Sequence, residues 1–94
     1  MRFEWDAGKD ETNVAMHGVS FEEAATVFGD PFAATIHDPI HSQDESRSVT
    51  IGVTAAGRLV VVVHTDRGDS IRLISAREPT RAERRAYEEG KDVS

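Results

Sequence analysis

Three β-rich runs separated by two short glycine-bearing turns fill residues 47–76 and leave this chain few ways to fold. "RSVTIGV" (47–53) alternates, with Val49, Ile51 and Val53 on one face and Ser48, Thr50 and Gly52 on the other. "AAGR" (55–58) is a tight turn with Gly57 at its positive-φ position. "LVVVVHT" (59–65) is apolar on both faces, as a covered central strand must be. "DRGD" (66–69) makes a second hairpin turn, and "SIRLISA" (70–76) returns. Strands joined by such short turns can only be antiparallel neighbours.

The flanking segments supply helices. "RFEW" (2–5) reads as a short first strand, and Asp6 can cap a helix from Ala7 to Met16. Gly18 then offers a left-handed stop just after His17, a histidine placed to meet the helix dipole. Ser20 and Glu23 have capping-box spacing, Val19 can staple against Ala24, and the second helix is expected to run to Phe28. "GDP" (29–31) ends it, "FAATIHD" (32–38) reads as a strand, and Pro39 begins a polar loop, "HSQDES". Pro79 fits the first turn of a last helix that should end at Gly90, with 91–94 as a frayed tail. The order is β-α-α-β-β-β-β-α in one domain, residues 1–90: an α+β fold, a mainly antiparallel sheet packed by helices. No glycine-rich phosphate loop is present.

Composition narrows the chemistry. Without cysteine the chain can form neither disulfides nor thiolate metal sites. No apolar run approaches the ~20 residues of a membrane span. "MRFEWDAGKD" lacks the apolar core of a signal peptide, so a cytoplasmic protein is expected. The net charge of −6 argues against a general nucleic-acid binder. Its distribution is uneven, however. Residues 1–46 carry ten acids and two bases, whereas residues 47–94 carry nine bases and seven acids, eight of those bases being arginines.

Four histidines are available. His37 and His41, with Asp38 and Asp44, form the one dense patch of potential metal ligands. Pro39 prevents a helix from presenting both rings together, so no metal or cofactor is expected. His41, Glu45 and Arg47 run from that loop into the third strand, and Glu45 and Arg47 share a strand face. Arg72 stands in an otherwise apolar strand, where simple alternation puts it on the face of Ile74 and Ala76. Arg67 lies in the adjoining turn and Arg77 at the strand end, while Arg81, Arg84 and Arg85 make one helical stripe. Planar guanidinium groups suit phosphate, although arginines can equally pair with neighbouring acids.

Several separated motifs in order resemble the BrnT family of toxins of type II toxin–antitoxin modules. They are Trp5-Asp6 with Lys9 and Asn13, His17-Gly18 with Phe21, Glu45-x-Arg47 with Ile51-Gly52, and Ile74-Ser75-Ala76-Arg77 followed by Glu83-Arg84 and Tyr87. The resemblance spans Phe3 to about Glu89. It implies a RelE-like fold, a small ribonuclease that cleaves RNA and blocks translation, and a BrnA-like antitoxin with a ribbon-helix-helix domain. Operator DNA would be reached only through that antitoxin. On this reading His41, Glu45, Arg47, Arg72 and Arg77 are the catalytic candidates, with His41 or Glu45 as base. Lys9, His17, Arg67, Arg81 and Tyr87 are the RNA-contact candidates. The family usually has lysine where this chain has Met16. That departure and the acidic charge keep a second reading open, in which the chain is a weak or inactive partner and corepressor of a DNA-binding antitoxin.

Overall fold

The computed structural model describes residues 1–38 and 47–93. The elements are β1 (Arg2–Glu4), α1 (Ala7–His17), α2 (Phe21–Ala25), a 3₁₀ turn (Thr26–Gly29), β2 (Ala34–Asp38), β3 (Arg47–Val53), β4 (Leu59–Arg67), β5 (Ser70–Arg77) and α3 (Arg81–Val93). The expected order holds. One five-stranded sheet runs β1-β5-β4-β3-β2, antiparallel except for β1, which pairs parallel with β5.

Local signals explain most boundaries. The Asp6 carboxylate accepts from the Lys9 N–H, and Ser20 Oγ accepts from the Glu23 N–H. Gly18 takes φ 70° and donates to the Val14 carbonyl, so it is the left-handed stop. Gly57 and Gly68 hold the positive φ of the two hairpin turns. The second turn is tighter than expected, because the β4–β5 pairing extends to Arg67 and Ser70.

Other boundaries differ from expectation, and four of them have a clear local cause. The second helix tightens into the 3₁₀ turn after Ala25 instead of continuing to Phe28, as β-branched Thr26 hydrogen-bonds back to the Glu23 carbonyl. The second strand starts at Ala34, because Phe32 N–H is turned back onto the Asp30 carboxylate. Pro79 precedes α3 rather than opening it. The cap is Thr80, whose hydroxyl accepts from Glu83 N–H while the Glu83 carboxylate accepts from Thr80 N–H. Finally, α3 passes through Gly90 to Val93, since Gly90 is not among the positive-φ glycines.

The core lies between one sheet face and α1–α2. Val19, Phe21, Ala24, Val27, Val60, Val62, Ile71, Leu73 and Ala76 form it, with Phe3, Trp5 and Phe28 packed at its margin. On β3 the residues facing this core are not the apolar set but Thr50 and Gly52. A side chain at Gly52 would press on the Val27 carbonyl at 3.2 Å, so the 3₁₀ turn sits directly on the strand.

A bulge in β5 decides the faces. Val63 pairs with Ser75 but the next residue, His64, pairs with Leu73, so Ile74 is extra. Ala76 is thereby turned into the core beside Ile71 and Leu73, away from Arg72, against simple alternation. The bulge also follows the end of β1, which pairs only with Ser70–Arg72. Beyond it the outer edge of β5 has α1 for a neighbour, and the buried Asn13 side chain replaces a strand. It accepts from Ala76 N–H at 3.0 Å and donates to the Ala76 and Val19 carbonyls at 2.7 and 2.8 Å.

Candidate active site

Cross-strand partners in a sheet project from the same face. Following the register, Glu4, Arg72, Thr65 and Arg47 form one row across β1, β5, β4 and β3. This row lies on the face opposite the α1–α2 core. Arg67, two residues beyond Thr65 on β4, projects from the same face. Arg67 and Arg72 both approach Glu4 Oε1, at 3.6 and 3.9 Å, and all three side chains are more than a third exposed or close to it. Such open ion pairs bind their partners weakly, so an incoming anion can compete for the guanidinium groups.

The far end of this face is covered by α3. There Glu83, Ala86 and Tyr87 close an apolar cavity of about 230 Å³ over Ala34, Ile36, Val49, Ile51 and Val61. Two contacts hold the helix. Arg77 makes a two-pronged pair with Glu83 at 2.8 and 2.9 Å, and the guanidinium holds the Glu83 carboxyl down to about 2. The buried Tyr87 hydroxyl donates to Asp30, and burial with that contact pushes the phenol up to about 12. Arg77 and Tyr87 thus fasten α3 to the sheet and to the 3₁₀ turn. Arg81 stands exposed at the start of α3.

A groove of about 350 Å³ with mixed polar and apolar walls opens where α1 meets the β5 bulge, lined by Lys9, Thr12, Asn13, Met16, His17, Ile74 and Ser75 among others. Residues 9, 12, 13, 16 and 17 share one helical face by their spacing. Ser75 links the groove to the arginine row. It faces the same way as Arg72, one register step further along β4, or about 7 Å for two residues of strand. Met16 is 70% exposed, so its side chain is available to a ligand rather than committed to the core.

The expected site residues therefore separate into groups. Arg47, Arg67 and Arg72 share the open sheet face, Lys9 and His17 share the groove beside it, and Arg77 and Tyr87 anchor α3. His41 and Glu45 lie outside the described residues. Glu4, Thr65 and Ser75 were not anticipated, and only strand register reveals them. A second unanticipated feature is a polar chain that crosses the sheet, buried at Thr50 and His64 and open to solvent at its ends. Thr35 and Thr50 hydroxyls meet at 2.6 Å, Thr50 reaches His64 Nε2 at 2.8 Å, and His64 Nδ1 reaches Asp66 at 3.1 Å. Burial lowers the His64 pKa despite the pull of Asp66, so the ring is neutral and donates from Nδ1 to the carboxylate.

The model of a ribonuclease toxin family, BrnT of type II toxin–antitoxin systems, matches residues 5–83. The chain belongs to the BrnT family. The matched region begins just after β1 and contains both early helices, strands β2–β5 and the start of α3, and so every residue of the arginine row except Glu4. A solved member, the Brucella abortus ribonuclease toxin BrnT, is 23% identical with a TM-score of 0.62, covering 86% of this chain and 99% of that one. Its fold is the same α+β arrangement. No curated protein matches the chain. Among the described residues no helix is long and apolar enough to cross a membrane.

Proposed function

We propose that this BrnT-family chain is an endoribonuclease that cuts RNA on the open sheet face and so arrests translation. The observation that carries the reading is the row Glu4–Arg72–Thr65–Arg47, with Arg67 beside it, on the part of the face that α3 leaves uncovered. The chemistry needs no metal. A base removes the proton from a ribose 2′-hydroxyl, the oxygen attacks the adjacent phosphorus, and an acid protonates the leaving 5′-oxygen. Arg72 and Arg47 stabilise the extra negative charge of the phosphorane-like transition state. Glu45 or His41 acts as base, Arg47 following Glu45 by two residues. Lys9, His17 and Arg81 hold flanking phosphates. Dependence on the 2′-hydroxyl excludes DNA as substrate.

The toxin's partner is a BrnA-like antitoxin, whose ribbon-helix-helix domain carries the complex to operator DNA. The acidic first half of the chain suits a basic antitoxin segment. Inducible expression with and without the antitoxin gene tests the proposal. Growth arrest is expected without the antitoxin, and Arg72→Ala or Glu45→Ala should relieve it. An in vitro transcript should be cut while its 2′-deoxy counterpart stays intact. Absence of arrest with antitoxin binding preserved would instead identify a non-catalytic corepressor.

A further inference from the structure

We propose that Thr65 is a positioning residue for Arg72, its hydroxyl receiving the guanidinium when substrate phosphate draws Arg72 away from Glu4. The inference rests on the RNA-cleaving reading of this face and adds a residue to it. Thr65 is 2% exposed, and its Oγ1 is a buried side-chain oxygen without a hydrogen-bond partner among the described residues. A buried hydroxyl that makes no bond is a cost to the fold, and a valine of the same shape would avoid it. The strand around it is Leu-Val-Val-Val-Val, so apolar β-branched side chains fit this strand well. The hydroxyl therefore calls for a partner in another state of the molecule.

The register supplies that partner. Thr65 lies directly opposite Arg72, so their Cβ atoms are about 4.5–5.5 Å apart and the arginine side chain can fold over the threonine. Arg72 now approaches Glu4 at 3.9 Å, outside hydrogen-bond reach, and shares that carboxylate with Arg67. Arg47, on the other flank of Thr65, already has an interaction. The two acceptors differ in what they do to the cation. Glu4 neutralises the guanidinium charge, whereas a hydroxyl takes one N–H and leaves the charge and the remaining donors for phosphate. An anion entering the face repels Glu4 and attracts Arg72, which favours the exchange. Thr65 then fixes one edge of the guanidinium plane, setting the direction of its fork toward the reacting phosphate.

Thr65→Val and Thr65→Ser test this alongside Arg72→Ala, with thermal unfolding, cleavage of an in vitro transcript, and the Arg72 Nε–Hε resonance during inorganic phosphate titration. Thr65→Val is expected to melt at or above the parent temperature yet lose about ten- to hundredfold in kcat, with KM changed far less. Thr65→Ser should keep most of the activity, because it retains the hydroxyl. Phosphate should displace the Arg72 resonance in the parent and much less in Thr65→Val. Full activity in Thr65→Val, with Arg72→Ala impaired, overturns the role of Thr65 and leaves the ribonuclease reading intact. If Arg72→Ala cleaves normally, or the parent does not cleave, the ribonuclease reading of this face fails. The phosphate titration then decides Thr65 independently: equal displacement in parent and Thr65→Val overturns it.

Discussion

Asn13→Ala removes the one side chain that stands in for a missing strand. Three hydrogen bonds disappear: those from Asn13 to the Val19 and Ala76 carbonyls and that from Ala76 N–H. Asn13 is 6% exposed and Ala76 is fully buried, so water does not readily replace them. Each bond is worth about 1 kcal/mol net, and a buried backbone group left unpaired costs about 1–3 kcal/mol. Allowing for partial relaxation, we expect a loss of about 3 kcal/mol by denaturant unfolding, or roughly 12–24 °C in Tm for a domain of this size. Hydrogen exchange at the Ala76 amide should quicken more than at Val62 in the sheet centre. Asn13→Asp sharpens the test, because it places a carboxylate against two carbonyl oxygens. It should be at least as destabilising at neutral pH and recover in acid, where the protonated carboxyl can donate once. A loss below about 1 kcal/mol for Asn13→Ala would refute the view that this amide completes the β5 edge.

Tyr87 is the chain's single tyrosine, so its ionisation can be followed by ultraviolet absorbance without interference from another. The midpoint should lie near 12, and because the unfolded phenol ionises near 10, stability should fall as pH rises through that interval. His64 is held neutral by burial, so the unfolded chain binds a proton first as pH falls below about 6.5. Unfolding free energy should therefore decline in mild acid, and His64→Gln should flatten that slope. The Glu83 carboxylate, held down to about 2 by Arg77, contributes stability present above its ordinary range and lost as pH falls toward that value. Arg77→Ala should remove the largest part of this component, leaving the share held by Thr80, and loosen α3, seen as faster exchange of α3 amides. Met16→Lys places a cation in the α1 groove and should increase RNA cleavage or growth arrest; no change in either would make Met16 irrelevant to activity.

The three antiparallel strands, their glycine turns and the caps at Asp6, Ser20 and Gly18 were readable from the chain because each rests on interactions within a few residues. The family motifs were legible in the same way, as residue types at fixed spacing. What Asn13 does in that motif was not. Its partner Ala76 is 63 residues away, and nothing local to either position announces the bond. The same holds for the site. Alternation along β5 assigned Arg72 and Ala76 to one face, and a single extra residue at Ile74 separated them. Arg77 and Arg72 look alike in sequence, yet one is bound by Glu83 after the chain turns into α3 and the other faces the open sheet. Thr65 and Glu4 became site residues only through pairing, since cross-strand register brings together side chains from four strands that no local pattern relates. Short-range hydrogen bonding and hydrophobic period thus determine the elements from sequence alone. Which side chains converge is decided by the register and bulge of the assembled sheet, where one residue of slip reverses every face beyond it.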